Sequence, residues 1–209
     1  MFDAKGPMAF SGSSDNLRLA MGFINSNVGV TLMLMLAPTA DFKLGHILNL
    51  PFDLSKLSSI QQKLLRLIDE CVNEAKADWD RSETSWEFQR DHLLASQQRS
   101  LVAKSIESLI AESTSAVARM REREEDLNRC FIDAYALGSD CDESVSDERI
   151  SLSRATTEQA VRDSVSFCLG CAMGRYSLDK PGLIYANSGN EGFDPSQYKT
   201  FPADPDGII

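Results

Sequence analysis

The amino-acid sequence predicts a mainly α-helical fold, in which a long helical hairpin serves as a spacer and short strand and loop segments lie at both ends. Residues 93–137 contain no proline or glycine, and their apolar side chains recur with a nearly heptad rhythm, which is typical of one long helix or a helix broken once. Residues 60–79 repeat apolar side chains at three- and four-residue steps, which predicts a second helix with one buried face. We expect these two helices to pair antiparallel, with residues 79–92 as the turn.

The boundaries of the expected domains follow changes in composition along the chain. Residues 1–54 are expected to form a helix with short strands, and residues 55–138 to form the hairpin. Residues 139–155 contain the acidic run Ser139–Glu148, which indicates a solvated linker because a calcium loop would need a glycine that this run lacks. Residues 156–209 are expected to begin with a helix and to continue as the short strands and loops of another module.

The composition excludes several classes of protein. With 209 residues, 43% of them hydrophobic and 25% charged, the chain can bury a sizeable core, unlike a disulfide miniprotein or a disordered tail. The net charge of -10 disfavours a free-standing nucleic-acid binder, because the chain as a whole would repel phosphate backbones. Five irregularly spaced cysteines, without the pattern of a signal peptide, favour a reducing cytoplasm.

Both ends of the sequence suggest a fragment of a longer protein. Residues 1–10 alternate like a strand and break at the turn-like run Ser11–Asp15. At the other end, residues 202–207 carry prolines and glycine and lead into Ile208 and Ile209, where a new apolar element would begin.

Residues 17–36 are apolar enough to raise the alternative of a membrane span. A buried helix with Asp15 or Asn16 as its N-cap and Pro38 as its stop explains the same residues better. Polar side chains inside the run argue against a span: these are Arg18, Asn25, Ser26 and Asn27. A short loop and a strand-like run are expected to follow, as far as Pro51.

Capping patterns predict where the other helices begin. Ser58–Gln61 and Thr156–Gln159 both place a hydroxyl residue three positions before a glutamine, as in a capping box. Gly138 is expected to end the long helix, and Gly174 the shorter helix that starts after Thr156.

Cys168 and Cys171 form a CxxC pair that could bind zinc or pack on a helix. Packing is the preferred interpretation, because neither histidine nor the other cysteines supply a second ligand pair at a usual spacing. Gly170 and Gly174 predict a close approach between this helix and the segment that follows it.

Arginines and acids alternate between residues 119 and 129, which favours a solvated helix face with paired charges over a face that follows phosphates. The arginines of this face are Arg119, Arg121, Arg123 and Arg129. The chain has no Walker loop, nucleophile elbow or dinucleotide fingerprint, so we assign no catalytic, cofactor-binding or metal-ligating residue to it.

Six strings in the sequence resemble a known family. Phe23–Val28, Leu36–Phe42 and Gly45–Pro51 resemble the stretch that follows the catalytic domain in large adenine-specific DNA methyltransferases. Asp78–Phe88, with its two tryptophans, and Glu125–Ile132 look like the PglX-type methyltransferases of bacteriophage-exclusion (BREX) defence systems.

The sixth string, Gly170–Tyr185, reads Gly-Cys-Ala-Met-Gly-Arg-Tyr-Ser-Leu-Asp-Lys-Pro-Gly-Leu-Ile-Tyr and also resembles the PglX type. The resemblance implies transfer of a methyl group from S-adenosylmethionine to the exocyclic amine of adenine in host DNA, which protects the host from its own phage-defence or restriction-modification system. Such enzymes extrude the target base into a pocket. The family's catalytic Asn-Pro-Pro-Tyr motif and its glycine-rich cofactor motif are expected upstream, since neither occurs in this chain.

The resemblance thus implies a helical connector between a catalytic core and a target-recognition region, with DNA and other phage-defence proteins as partners of the longer enzyme. The candidates for DNA contact are Lys43, His46, Asn49, Arg175 and Lys180, because such side chains can reach base edges or phosphates. The alternative is a stand-alone acidic helical module that binds another protein and has no enzymatic activity.

Overall fold

The computed structural model describes residues 8–37, 43–95, 102–187 and 191–204. These residues are mainly helical and contain no β-strand, so the mainly α prediction is confirmed, whereas the strands expected at the two ends are absent from the described part. The described helices are α1 (Ser14–Asn25), α2 (Asn27–Leu36), α3 (Leu44–Leu48), α4 (Leu54–Leu57), α5 (Gln61–Trp79), α6 (His92–Ala95), α7 (Val102–Tyr135) and α8 (Thr157–Ala172).

The prediction of a strand-like run before Pro51 is wrong for the residues that the structure describes. Residues 44–48 form α3, whose first turn is closed by Nδ1 of His46, which accepts a hydrogen bond from the Lys43 backbone N–H at 3.3 Å. The part of the run before Lys43, and most of the expected N-terminal strand, lie outside the described residues. The C-terminal module consists of irregular segments and one 3₁₀ turn, Pro195–Gln197, in its described part.

The helix expected over residues 17–36 is divided at Ser26 into α1 and α2. The Ser26 Oγ donates to the Phe23 carbonyl at 2.7 Å and accepts from the Gly29 N–H at 3.1 Å, so that one hydroxyl ends one helix and caps the next. The N-cap of α1 is Ser13, and not Asp15 or Asn16. The end of α2 at Leu36, just before Pro38, agrees with the predicted stop.

No single described helix is long and apolar enough to cross a membrane, although α1 and α2 taken together, with a 70° bend between them, have a sufficient length and composition.

Helix α5 begins at Gln61, and the capping box expected at Ser58–Gln61 does not form. Ser58 follows the last residue of α4, and its Oγ donates to the Ser55 carbonyl at 2.9 Å. The second predicted capping box agrees with the structure at its N-cap, because the Thr156 hydroxyl accepts the Gln159 N–H at 3.2 Å at the start of α8.

The described chain forms two compact units. Unit 1 contains residues 1–74 and 118–151, and its core includes Phe23 and Phe131, both fully buried. Within unit 1, α5 and α7 run antiparallel, as the order of two ion pairs shows: Glu74 binds Arg119 at 2.7 Å and Glu70 binds Arg123 at 3.2 Å. The remaining core residues of unit 1 are Leu19, Val28, Met33, Leu50, Leu57, Leu64, Leu67, Ile68, Leu127, Cys130 and Ile132.

Unit 2 contains residues 75–117 and 152–209 and has an aromatic core. The Tyr176 ring stacks on Phe167 at a centroid distance of 5.1 Å and meets the edge of Phe88 at 5.4 Å. Gly170 makes this packing possible, because a Cβ at Gly170 would lie 2.6 Å from the Tyr176 ring. The predicted close approach of α8 to the following segment is therefore confirmed.

Candidate functional site

Unit 2 contains a cavity of about 590 Å³ whose wall combines apolar and charged side chains. Three segments form it: the turn after α5 with α6, one face of α7, and the loop that leads into the first turns of α8. The turn keeps its shape because the Asp80 carboxylate accepts the Ser85 hydroxyl at 2.6 Å and pairs with Lys76 at 2.6 Å. The charged side chains of the wall are Asp78, Arg81, Glu83, Asp91, His92, Arg154 and Asp163.

Two of the wall's basic side chains meet one carboxylate of α7. Glu112 accepts a guanidinium hydrogen bond from Arg81 at 2.6 Å, and its second oxygen lies 3.5 Å from Nε2 of His92. Arg81, near the start of the turn between α5 and α6, and His92, just after it, are thus both held by one residue of α7.

The opposite wall is held by hydroxyl groups. Ser153 donates its backbone N–H and its hydroxyl to one carboxylate oxygen of Asp78, both at 2.9 Å. Ser113, which is 5% exposed, donates to the Ser153 carbonyl at 2.9 Å and accepts from the Ala155 N–H at 3.0 Å. Asp91, also buried, accepts hydrogen bonds from the Leu94 N–H and the Ser164 hydroxyl.

Several polar side chains of the cavity wall already hold hydrogen-bond or ion-pair partners. The Asp78 carboxylate accepts the Ser153 hydroxyl, the Asp91 carboxylate accepts the Ser164 hydroxyl, and His92 lies beside Glu112. In the described ranges, no cluster of three or more His, Cys, Asp and Glu side chains could hold a metal ion.

The CxxC pair divides between core and surface. Cys171 packs in the aromatic core of unit 2, and burial raises the pKa of its thiol to about 11. Cys168 is exposed on α8, and both thiols are free. The predicted packing role is therefore confirmed for Cys171, whereas Cys168 does not pack in the core.

The DNA-contact candidates fall into two groups that lie in different units. Lys43, His46 and Asn49 are neighbours at α3 in unit 1, where Lys43 and Asn49 are exposed. Arg175 and Lys180 are exposed in unit 2, where the Lys180 ammonium donates to the Gln197 side chain at 3.1 Å. Contact with DNA stays a prediction for all five.

The four arginines between residues 119 and 129 all carry ion pairs, as the solvated-face interpretation predicts. Glu74 receives both Arg119 at 2.7 Å and Arg123 at 2.8 Å. Arg121 pairs with Asp147 at 2.7 Å, and Arg129 with Asp126 at 2.6 Å. A phosphate would have to displace a carboxylate from each of these guanidinium groups.

Sequence reasoning missed a pair of asparagines that organises unit 1. The Asn27 N–H, at the start of α2, donates to the side-chain oxygen of Asn128 at 2.8 Å, and Asn128 is 3% exposed. The side-chain amides then hold the acidic run: Asn27 donates to the Asp142 carbonyl at 2.7 Å, and Asn128 to the Glu143 carbonyl at 3.0 Å. The sequence signal that could have indicated this pair is the polar residue Asn128, which lies directly beside the apolar positions of α7.

The acidic run is therefore attached to unit 1 through its backbone. Its carboxylates lie at the surface, whereas Val145 is 6% exposed and Ile150, just beyond the run, is 2% exposed. The Val145 N–H donates to the Glu125 carboxylate at 3.2 Å. Composition predicted the solvated carboxylates but not the two apolar anchors.

Replacing Glu124 by glutamine should raise the free energy of unfolding at pH 7. Burial raises the pKa of this carboxyl above its ordinary value, with an opposing effect of Arg149, so the folded state disfavours the charged form. The protonated carboxyl contributes its full stability below the pKa of an unfolded glutamate, and this contribution is lost as the pH rises through the folded pKa. The gain from Glu124→Gln should therefore disappear below about pH 4.

Urea unfolding at pH 7 and at low pH measures this difference. Glu122→Gln, at an exposed position of the same helix, is the control and should change little. An equal gain in the free energy of unfolding for Glu124→Gln at both pH values would show that removal of the carboxylate charge is not its cause.

Comparison with known proteins gives two relatives that match the chain from end to end, whereas no protein-family model matches it. The adenine-specific methyltransferase PglX of Lacticaseibacillus casei (strain Zhang) is 34% identical over 213 residues. The adenine-specific methyltransferase BrxX of Escherichia coli O9:H4 (strain HS) is 29% identical over 235 residues. The matches cover 100% of this chain but only 17% and 18% of the relatives.

The strings that carry the resemblance supply side chains with identified roles in the two units. Phe23, Ser26 and Asn27 provide a core ring, a helix cap and the asparagine pair, while Gly170 and Tyr176 provide the close approach of unit 2. The family resemblance predicted from the sequence is confirmed by the two matches: from end to end, the chain is similar to one segment of the PglX and BrxX adenine-specific methyltransferases.

Proposed function

We propose that the chain is the helical connector of a site-specific adenine DNA methyltransferase and joins its catalytic core to its target-recognition region. The longer enzyme would work in the cytoplasm, transfer the methyl group of S-adenosylmethionine to adenine in host DNA, and thereby mark the host genome for a phage-exclusion system. No residue of this chain is assigned to the cofactor or to the chemical step.

The end-to-end similarity to two proteins named as adenine-specific methyltransferases carries this proposal. The sequence carries no nucleophile-elbow or cofactor motif, and no group of side chains in the described part could hold a metal ion, so a role in positioning suits the chain better than a role in methyl transfer. Helix α7, with 34 residues, is about 50 Å long at ~1.5 Å per residue, which is the scale of a spacer between domains.

Charge also favours a connector over a DNA reader. The chain carries a net charge of -10, and the arginines of α7 are engaged by carboxylates. A protein that follows phosphates usually presents unpaired lysine and arginine side chains on one face.

Charge reversal at the α5–α7 contact tests the connector in the full-length enzyme. The double variant Arg119→Glu, Arg123→Glu adds two carboxylates next to Glu70 and Glu74. The repulsion among these four carboxylates should separate α5 from α7 within unit 1. Because misplacement of a bound substrate is costly, adenine methylation of host DNA should fall by roughly 10- to 100-fold. Binding of S-adenosylmethionine should remain unchanged.

Two further variants complete this test. Adding Glu70→Arg and Glu74→Arg restores opposite charges and should recover methylation. The control is Arg162→Glu, which reverses a charge on an exposed i,i+4 pair of α8 and should have little effect. Loss of cofactor binding would contradict the connector role and indicate a role in binding the cofactor. Methylation at a different DNA motif would also contradict it and indicate a role in target recognition.

A further inference from the structure

The basic residues of the chain are unevenly distributed. Residues 54–68, which span α4 and the beginning of α5, contain Lys56, Lys63 and Arg66 and no acidic residue. Their formal charge is therefore +3 in a chain whose total is -10. We call Lys56, Lys63 and Arg66 the α4–α5 basic surface.

The packing of α4 and α5 presents these three cations to solvent. Leu57 and Leu64 are fully buried and hold this part of the chain to the core of unit 1. Lys56 and Lys63, which directly precede the two leucines, are exposed. Arg66 lies three residues after Lys63 on α5, so the two side chains are neighbours on the helix surface, and 71% of the Arg66 side chain is exposed.

Carboxylates engage these cations less than they engage the arginines of α7. Lys56 and Lys63 form no ion pair with a residue that the structure describes. Arg66 lies 3.6 Å from one oxygen of Glu70, whose other oxygen is 3.2 Å from Arg123. By contrast, the four arginines between residues 119 and 129 each lie within 2.8 Å of a carboxylate.

The acids that border residues 54–68 already have partners. Asp53 caps α4 by accepting the N–H and the hydroxyl of Ser55 at 2.9 and 2.7 Å, and Asp69 accepts the guanidinium of Arg18. The first turn of α5 contains no acidic residue, so the positive end of the dipole of this 19-residue helix adds to the charge of the cations.

A surface of this kind is complementary to a phosphate backbone. Lysine and arginine side chains neutralise phosphates, and hydroxyl and amide side chains such as the exposed Ser59 and Gln62 can donate hydrogen bonds to phosphate oxygens. Such contacts hold a duplex without reading its bases. The acidic remainder of the chain would repel DNA and restrict it to this surface.

We propose that the α4–α5 basic surface binds the phosphate backbone of the duplex DNA that the full-length enzyme methylates. This proposal rests on the proposed function, and it adds to the connector a contact that holds DNA independently of its sequence.

Neutralisation of the surface in the purified full-length enzyme tests the proposal. Each phosphate contact contributes about 0.9 to the slope of log binding constant against log salt concentration. In the triple variant Lys56→Gln, Lys63→Gln, Arg66→Gln this slope should therefore become shallower by about 2–3, and the affinity at low salt should fall by roughly 10- to 100-fold. Fluorescence anisotropy measures both quantities on two labelled duplexes, one with and one without the methylated motif, and the loss should be the same on each.

Two control variants separate the charge of the surface from other effects. Exchanging lysine for arginine and arginine for lysine at the three positions keeps the charges and should preserve the affinity and the slope. The matched control Arg121→Gln, Arg129→Gln, Arg162→Gln removes the same net charge from exposed arginines that are paired with carboxylates, and it should leave the slope unchanged.

The proposal is overturned if the glutamine variant of the surface keeps the wild-type slope, or if the matched control loses as much slope. It is also overturned if the affinity falls only on the duplex with the motif, which would identify base reading. A shallower slope in an enzyme that methylates no adenine would support the surface and count against the proposed function alone.

Discussion

Replacement of Phe131 by alanine should lower the free energy of unfolding by about 3–5 kcal/mol, the usual cost of removing a fully buried phenylalanine ring. Phe131 is 0% exposed, and its ring meets the edge of Phe23 at a centroid distance of 5.8 Å. A Cβ at Gly22 would also approach this ring, so the space is closely packed on the α1 side. The loss combines buried apolar area with the cavity that remains.

Urea unfolding of the purified chain measures the effect. Phe131→Leu retains most of the volume and should cost less than the alanine variant. Asp133→Ala, two residues away on the exposed side of α7, should change the free energy by less than about 0.5 kcal/mol. Equal losses for Phe131→Ala and Asp133→Ala would contradict the central place of Phe131 in unit 1.

Replacement of Gly170 by alanine should destabilise unit 2 by about 1–3 kcal/mol, although alanine favours helices over glycine. The new Cβ would lie 2.6 Å from the ring of Tyr176. That ring cannot easily move, because it stacks on Phe167 and meets Phe88. The clash should therefore outweigh the roughly 1 kcal/mol that alanine gains in a helix.

Gly45→Ala provides a matched control on α3. No atom lies within 4 Å of a Cβ at Gly45, so this substitution should leave the stability unchanged or raise it slightly. Thermal unfolding of both variants compares them directly. A Gly170→Ala protein as stable as Gly45→Ala would show that unit 2 does not need the close approach of Tyr176.

The helices with strong periodicity and local caps could be predicted from the sequence. The Thr156 cap and the absence of proline and glycine near α7 depend on residues close in the chain, and these features act before any tertiary contact forms. The break at Ser26 was not predicted, although Asn25, Ser26 and Asn27 interrupt the apolar run, because the Oγ contacts that divide the helix have no periodic signature.

The beginning of α5 shows the opposite case, in which a valid local signal was overridden. Ser58–Gln61 has the spacing of a capping box, but the preceding turn, α4, uses Ser58 at its own end. The Asp53 carboxylate caps α4 by accepting the Ser55 N–H at 2.9 Å, and this competing cap was equally present in the sequence.

The polar features of the two units depend on contacts between distant residues, which periodicity does not report. Asn27 and Asn128 are about a hundred positions apart, and the buried Asn128 amide finds its partners only when the chain folds. The cavity wall joins Asp78 to Ser153 and Arg81 to Glu112, and no local spacing links these residues. Composition could predict that the charges would pair, but not which partners would meet.

Base-modification mapping of the source genome tests the central claim most directly. Adenine methylation should occur at one DNA motif when the full gene is intact, and should be lost when the codons for residues 8–204 are removed in frame while the rest of the protein remains soluble and still binds S-adenosylmethionine. That result would establish the chain as a segment that the methyltransferase needs to reach its target. Unchanged methylation at the same motif without these residues would contradict the account.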